Sequence, residues 1–546
     1  MTRALLLVAL VAVVYGAGLG QASLWDIDEA IYAEISRNMA RTGDWTVPVF
    51  NGAPRFDKPP LLYWISAAAI ESLGPGELAV RIGTYLFALL CVGLVFLVGR
   101  RLYGPRAGIL GALVLSSTFG WFIAGRIGLM DTGLSFFVGL SIYLLLAPAG
   151  GEWRSAPADG ERSFVPSLAA YAGAGAAAAL GVLAKGPVAL ILTGGTALFH
   201  LGPRRLVRYL FNGRALVGAA LFALIAMPWH LAVYRVAGTA WWESYFGYHM
   251  FSRFTQPLEE HGYGWYYYIV VLAVGFLPWT GYAVAALWNL LRSRQGAYAP
   301  RLREGGSGDS RLLVAWFAVV VVFFSLSRTK LPGYVLPAFL PLAVLTGAWC
   351  DRRLERPDAG RAFGIGLWAS LAAGLLAAAG LAAMRPLVPA GYEEAHRLLF
   401  LFPGTLVGGM LLTKLLHLIF RSPKTLLYGF AGTSFAGMLL FAALLMPLIE
   451  EHKPVKPLVA AARAHFTPGT RIVSALGDRS TTFYAERPVE YVDSAAEVRS
   501  LLEGSRETLA LVPQAMLGEL PGVRVLAEYG QAALVAPGLT PPRAFP

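Results

Sequence analysis

A chain of 546 residues in which 56% are hydrophobic and only 14% charged lies far from the soluble balance, where about a quarter of residues are charged. The net charge of +12 points to a polyanion partner only until its placement is read: the arginines fall in alternate loops, which is a topology signal and not a nucleic-acid site. The two cysteines, Cys91 and Cys350, both lie in apolar runs with no metal-ligand spacing and read as small core residues, and the C-terminal tail, having none, holds no structural disulfide.

In chain order, about thirteen apolar runs near membrane-spanning length recur. They are 4–20, 79–99, 107–124, 132–147, 165–184, 188–201, 215–234, 266–291, 312–327, 333–349, 362–384, 398–418 and 425–446. The first reads as an uncleaved anchor, because a polar cluster follows at once and further spans come after it. Basic residues gather at Arg100, Arg101 and Arg106, then at Arg204, Arg205, Arg208 and Arg214. They gather again at Arg292, Arg294, Arg301, Arg303 and Arg311, at Arg352, Arg353, Arg356 and Arg361, and at Arg421 and Lys424. With thirteen spans these loops share one face, which the positive-inside rule makes cytoplasmic together with the N-terminus.

The intervening loops hold the acids, the histidines and a few lysines, so chemistry on the outer face is expected. The first of them, 21–78, is the richest. DIDEAIYAEISRNMARTGDW predicts an amphipathic helix along the membrane interface, with Glu29, Ala33 and Arg37 on one stripe and Ala30, Glu34 and Asn38 on another. Asp28 stands near its N-terminus, where the helix dipole favours a carboxylate; a plain helix cap is the alternative to a chemical role. After a turn at Asn51 and Gly52, Asp57, Lys58 and two prolines lead into a second short helix. Later outer loops carry Arg126 and Asp131 in a short turn, and Lys185 where AKGP ends a span. His249, Arg253, Glu259, Glu260 and His261 fall in a long aromatic loop, and Arg328 and Lys330 in a tight turn.

Near Pro447 the pattern changes. Short strands are predicted at 471–477, 489–492 and 508–513 and in VRVLAEYG and ALVAPG, with helices at 457–466 and 495–504. The expected fold is therefore a polytopic α-helical membrane protein. Residues 1–446 form the transmembrane domain, whose first outer loop, 21–78, carries interfacial helices. Residues 447–546 form a small soluble, extracytoplasmic α/β domain that covers or supports the outer-face site. That domain carries no Gly-rich phosphate loop and no Ser/His/Asp constellation.

The run DEAIYAEISRNM, GDW, NG and FDKPPLLYW resembles the first outer loop of the GT-C glycosyltransferases. Within them it is most similar to the bacterial branch related to protein O-mannosyltransferases and to the aminoarabinose transferases of lipid A (ArnT-like). The resemblance continues through GRIGLMDTGLSFF, LAKGPVAL, YHMFSRFT, EHGYGWYYY and SRTKLPGYVLPAFLPLAVL, about residues 1–350. It implies a multi-pass enzyme of the bacterial inner membrane, about thirteen helices in the GT-C fold, that takes a sugar from a polyprenyl (undecaprenyl) phosphate on the periplasmic face. Under that resemblance Asp28 matches the catalytic-site aspartate, Tyr32 its aromatic neighbour, and Asp131 the second aspartate. Asp57 and Lys58 match the acidic–lysine pair, with Asp57 where many relatives have Glu. Lys185 matches the basic residue at the donor phosphate, and His249 and Arg253 the aromatic-loop pair. A divalent metal ion held near Asp57 and His249 is the one cofactor it implies.

The residue chemistry agrees. Breaking a glycosyl-phosphate bond needs cations around the departing phosphate, and Lys58, Lys185, Arg253 and Lys330 supply them. An alcohol acceptor needs a carboxylate base, for which Asp28 is the choice and Asp131 the alternative or a positioning partner. A phosphate acceptor is already nucleophilic, and Asp28 then only orients it. The acceptor stays open among lipid A, another glycolipid, a polysaccharide and a protein, and the sugar between an aminopentose and a hexose. A lipid or sugar transporter (flippase) is the competing class; it is expected to show internal repeats or paired broken helices around a midplane site. No segment repeats, and the polar groups collect on one face.

Overall fold

The computed structural model describes residues 2–146, 151–155, 162–257, 262–292, 310–356, 359–388 and 393–538. Glu259, Glu260, His261, Arg294, Arg301 and Arg303 lie outside the described residues. Among those described, seven helices are long and apolar enough to cross a membrane, or eight with one bent pair counted as a span. They include Glu77–Tyr103, Leu168–Lys185, Gly213–Thr255, Pro332–Leu354 and Pro423–Glu450. The expected thirteen is not reached on length, because the runs at 4–20, 107–124, 132–147, 188–201 and 312–327 form apolar helices of only 10–17 residues.

Two predicted spans are broken, each for a visible reason. The run 107–124 divides into Pro105–Ser116 and Phe119–Ala124, where Ser117 and Thr118 turn their hydroxyls back onto the carbonyls of Leu113 and Val114. The run 266–291 divides at Pro278, which offers no N–H, and its halves are bent by 118°. The two breaks meet: Phe119 N–H donates to Leu277 O at 2.9 Å and Trp279 Nε1 to Ser117 Oγ at 2.8 Å. Past the helix predicted at 215–234 the chain kinks at Gly238, whose φ is +57°, then becomes helical again to Trp242 and enters a π-helical segment, Glu243–Ser252. His249 and Arg253 therefore sit on helical backbone and not in the loop expected for them.

One apolar cluster fills the bundle, with Trp121, Trp279, Trp316, Phe339 and Tyr282 fully enclosed and Cys91 and Cys350 buried as free thiols. Over it lie the helices Asp28–Thr42 and Leu61–Leu73. Ile31, Tyr32, Ile35 and Met39 pack on Leu62 and Tyr63. Ala30 and Ala33 face Phe483 of the C-terminal domain. That domain is a five-stranded sheet in the order Val489–Tyr491, Arg471–Ser474, Thr508–Pro513, Ala532–Pro537, Val523–Tyr529. The first three strands are parallel, and the remaining pairings are antiparallel. Alternate residues serve opposite faces: Ile472, Leu511 and Leu534 meet Leu458 and Val459, while Val473, Ala510 and Val535 meet Val498 and Leu502. The helix Ala495–Gly504 opens with a Ser494/Glu497 capping box.

Candidate active site

Helix ends aim the polar groups at one point. Asp28 is the first residue of Asp28–Thr42 and Asp131 the first of Asp131–Leu146, where the positive end of the helix dipole favours a carboxylate. Lys185 is the last residue of Leu168–Lys185, where the dipole favours a cation. Gly186 stops that helix at φ +87°, in the left-handed region that suits glycine. These three ends, with Tyr32, Lys58, Arg253 and Tyr334, line a cavity of about 160 Å³.

Inside the cavity the two aspartates differ. Lys185 Nζ donates to Asp131 Oδ1 and sits 4.7 Å from the centre of the Tyr334 ring, a cation–π contact. Arg253 reaches the Tyr334 hydroxyl at 3.5 Å. Gly333 lies so close that a Cβ there would stand 2.9 Å from the Asp131 carboxylate. Asp28, half-buried, forms no hydrogen bond or ion pair with any described residue. Nor is it the cap: Ile27 holds that position, with no side-chain cap bond.

Asp57 lies behind the cavity wall, 5% exposed. Tyr63 Oη donates to its Oδ1 at 3.2 Å, and Arg55 Nε is 3.3 Å from Oδ2. Burial pushes its carboxyl up, but the Lys58 and Arg55 cations outweigh burial and hold it below its ordinary value. The carboxylate therefore stays charged. Lys58 Nζ donates to the Asp57 carbonyl at 3.2 Å and lines the cavity. His249 Nδ1 is buried without a hydrogen-bond partner. Lys330 does not line the cavity; its amine turns back to the Ser327 carbonyl. Its chain neighbours Leu331, Pro332, Gly333 and Tyr334 take that wall.

Beneath the cavity runs a buried ion pair. Glu29 and Arg81, 1% and 2% exposed, share two bonds of 2.8 Å. Glu29 Oε1 also accepts from Gly128 N–H at 2.6 Å, and Oε2 from Trp25 N–H at 2.7 Å. Arg81 donates to the carbonyls of Leu19, Ala22 and Ser23. One side chain thus ties the Asp28 helix to the turn that leads into Asp131. On the same helix Arg37 bonds Glu34, so the two predicted stripes are joined by an ion pair between them. Gly333 and Tyr334 were not singled out from the sequence, although the LPGY turn following Lys330 held the signal.

Residues 2–242 match the Dolichyl-phosphate-mannose-protein mannosyltransferase family. The undecaprenyl phosphate-α-4-amino-4-deoxy-L-arabinose arabinosyl transferase of Pseudomonas aeruginosa is 35% identical over 401 residues, 73% of this chain and 68% of that one. Its counterpart, transferase 2 of Pseudomonas fluorescens, is 31% identical over 86% of this chain and 80% of its own. Among solved structures, ArnT from Cupriavidus metallidurans bound to undecaprenyl phosphate superposes with a TM-score of 0.76 over 97% of both chains at 24% identity, which establishes the fold. The oligosaccharyltransferase of Archaeoglobus fulgidus matches at 0.51, over 94% of this chain and 70% of that one, at 12% identity. On sequence and fold together, the chain belongs to the undecaprenyl phosphate-α-4-amino-4-deoxy-L-arabinose arabinosyl transferase family of membrane glycosyltransferases.

Proposed function

We propose that the protein transfers 4-amino-4-deoxy-L-arabinose from undecaprenyl phosphate to lipid A, on the periplasmic face of the bacterial inner membrane. One observation carries the reading: Asp28, a carboxylate with no hydrogen bond or ion pair among the described residues, shares a small cavity with Lys58, Arg253 and the Lys185–Asp131 pair. The acceptor oxygen attacks the anomeric carbon. The bond from that carbon to the donor phosphate breaks, and the phosphate leaves with the electron pair. Lys58 and Arg253 meet the charge that gathers on it, and Lys185 joins them once the phosphate competes with Asp131. An acceptor hydroxyl gives its proton to Asp28; a lipid A phosphate is already ionised and Asp28 orients it. The prenyl chain lies between apolar helices.

Asp57 and His249 are the residues that would hold a divalent cation. Two observations favour it, the charged state of Asp57 and the unpartnered Nδ1 of His249. Among the described residues no three metal-binding side chains converge; an ion held by these two would supply positive charge to screen the donor phosphate.

The test is transfer itself. Purified protein in lipid nanodiscs is given undecaprenyl-phosphate aminoarabinose and lipid A, and the lipids are read by mass spectrometry. Lipid A carrying the aminopentose is the expected product. Transfer of a hexose alone, or transfer to a polysaccharide or protein with lipid A unchanged, would overturn the assignment.

A further inference from the structure

Nothing in the cavity accounts for the way the C-terminal domain grips the first outer loop. Asp26 Oδ1 accepts from both Arg479 N–H and Ser480 N–H at 2.9 Å, and Oδ2 accepts from Ser480 Oγ at 3.1 Å. Tyr484 Oη accepts from Leu24 N–H at 2.8 Å and donates to Glu77 at 3.0 Å, while Lys456 pairs with the same Glu77 oxygen at 2.6 Å. Asn51 completes the sheet edge, exchanging two 2.8 Å bonds with the backbone of Val489. Phe483 packs against Leu24, Ala30 and Ala33.

These contacts flank Asp28, the cavity carboxylate that makes no hydrogen bond or ion pair with any described residue. Segment 24–26 is non-helical, and Ile27 makes no side-chain cap bond. Position 28 is thus set from two sides. Glu29 is pinned below by Arg81 and Gly128, and Asp26 is pinned from outside by the C-terminal domain. We propose that the C-terminal α/β domain is the positioning element for Asp28, holding Leu24 and Asp26 so that the Asp28 carboxylate stands over the cavity. Asp26, Ser480 and Tyr484 are then positioning residues with no contact to substrate. The inference rests on the reading of Asp28 as the carboxylate that serves the acceptor.

A misplacement of about 1 Å costs on the order of 100-fold in rate, so a partial release should be visible. In the full-length protein, Asp26→Ala combined with Tyr484→Phe should lower kcat by about tenfold or more. KM for the lipid-linked donor should stay at its wild-type value, because the donor cations lie elsewhere. Asp26→Asn keeps an oxygen for the two backbone donors and should restore most of kcat, which a role for the charge itself would forbid. A second readout is independent of turnover. The native cysteines are buried, so in Asp28→Cys the rate of labelling by a charged maleimide reports position 28 alone, and it should change several-fold when the clamp is removed. Wild-type kcat together with unchanged labelling would overturn the proposal. So would a kcat loss matched by an equal rise in donor KM. Wild-type turnover in Asp28→Asn would reject the carboxylate reading, while the labelling rates still judge the clamp.

Discussion

Asp28 and Asp131 each stand first in a helix and face the same cavity, but among the described residues only Asp131 is engaged, by Lys185. The difference assigns roles. Asp28→Asn keeps shape and removes charge, and turnover with a hydroxyl acceptor should fall by about 100-fold or more, with melting temperature near wild type. Asp131→Asn should act instead on the donor: Lys185 loses its orienting partner, and donor KM should rise more than kcat falls. Steady-state kinetics on the two variants separates these patterns, and the reverse assignment would exchange them.

Gly333 tests the same wall of the cavity. A Cβ at this position would stand 2.9 Å from the Asp131 carboxylate, inside any real contact distance. Gly333→Ala should therefore displace the Asp131–Lys185 pair and raise donor KM without lowering expression. Steady-state kinetics with the lipid-linked donor checks it: a donor KM at the wild-type value in Gly333→Ala would show that the added methyl does not displace the pair.

The elements that could be read from the chain are those whose pattern is local. The helix Asp28–Thr42 follows from its amphipathic spacing. The strands of the C-terminal domain follow from period-two alternation, as at Ile472 and Val473, which face opposite layers. The cavity residues Asp28, Lys58, Asp131, Lys185 and Arg253 stood out because a charge at the end of an apolar run is costly. What could not be read depends on tertiary proximity. Gly333 matters only because another helix begins beside it, at Asp131. Asp26 is one more loop acid until the helix Ser480–Ala485 arrives against it. Lys330 looked like a site cation, but its amine had a backbone carbonyl within reach. The break at Pro278 is a proline effect that an apolar run conceals.

Asp57 gives a pH dependence with a definite sign. Its folded carboxyl is held below the ordinary value, so it contributes stability fully above the unfolded value of about 4. That contribution is lost as pH falls through the lowered folded value. The apparent melting temperature of wild type should exceed that of Asp57→Asn by a constant margin from pH 8 to about pH 5, and the margin should shrink only below about pH 4. A margin that already shrinks between pH 7 and pH 5 would mean that Asp57 is not held charged.

Topology follows from the arginine asymmetry. A reporter fused after Arg311 should read cytoplasmic, and one fused after Ser474, within the sheet of the C-terminal domain, should read periplasmic. The same compartment for both would contradict an outer-face site, since the domain touches Asp26 and Glu77 directly.

The Glu29–Arg81 pair carries the last prediction. Both groups are almost fully enclosed, so their removal from water is costly and the pair survives only because each also meets backbone partners. Arg81→Ala leaves the Glu29 charge with two backbone N–H groups alone and deprives three carbonyls of their donor. A single broken buried pair costs about 3–5 kcal/mol, so Arg81→Ala should lower the apparent melting temperature well beyond any cavity variant. Glu29→Gln with Arg81→Met removes both charges and keeps volume, and should recover much of that loss. The double variant should still turn over slowly, because Gly128 is no longer tied to the Asp28 helix by a charged acceptor. Recovery of stability without recovery of kcat is the expected outcome in thermal unfolding and steady-state assays. Full recovery of both would show that Glu29 supports the fold alone and takes no part in setting Asp28 against Asp131.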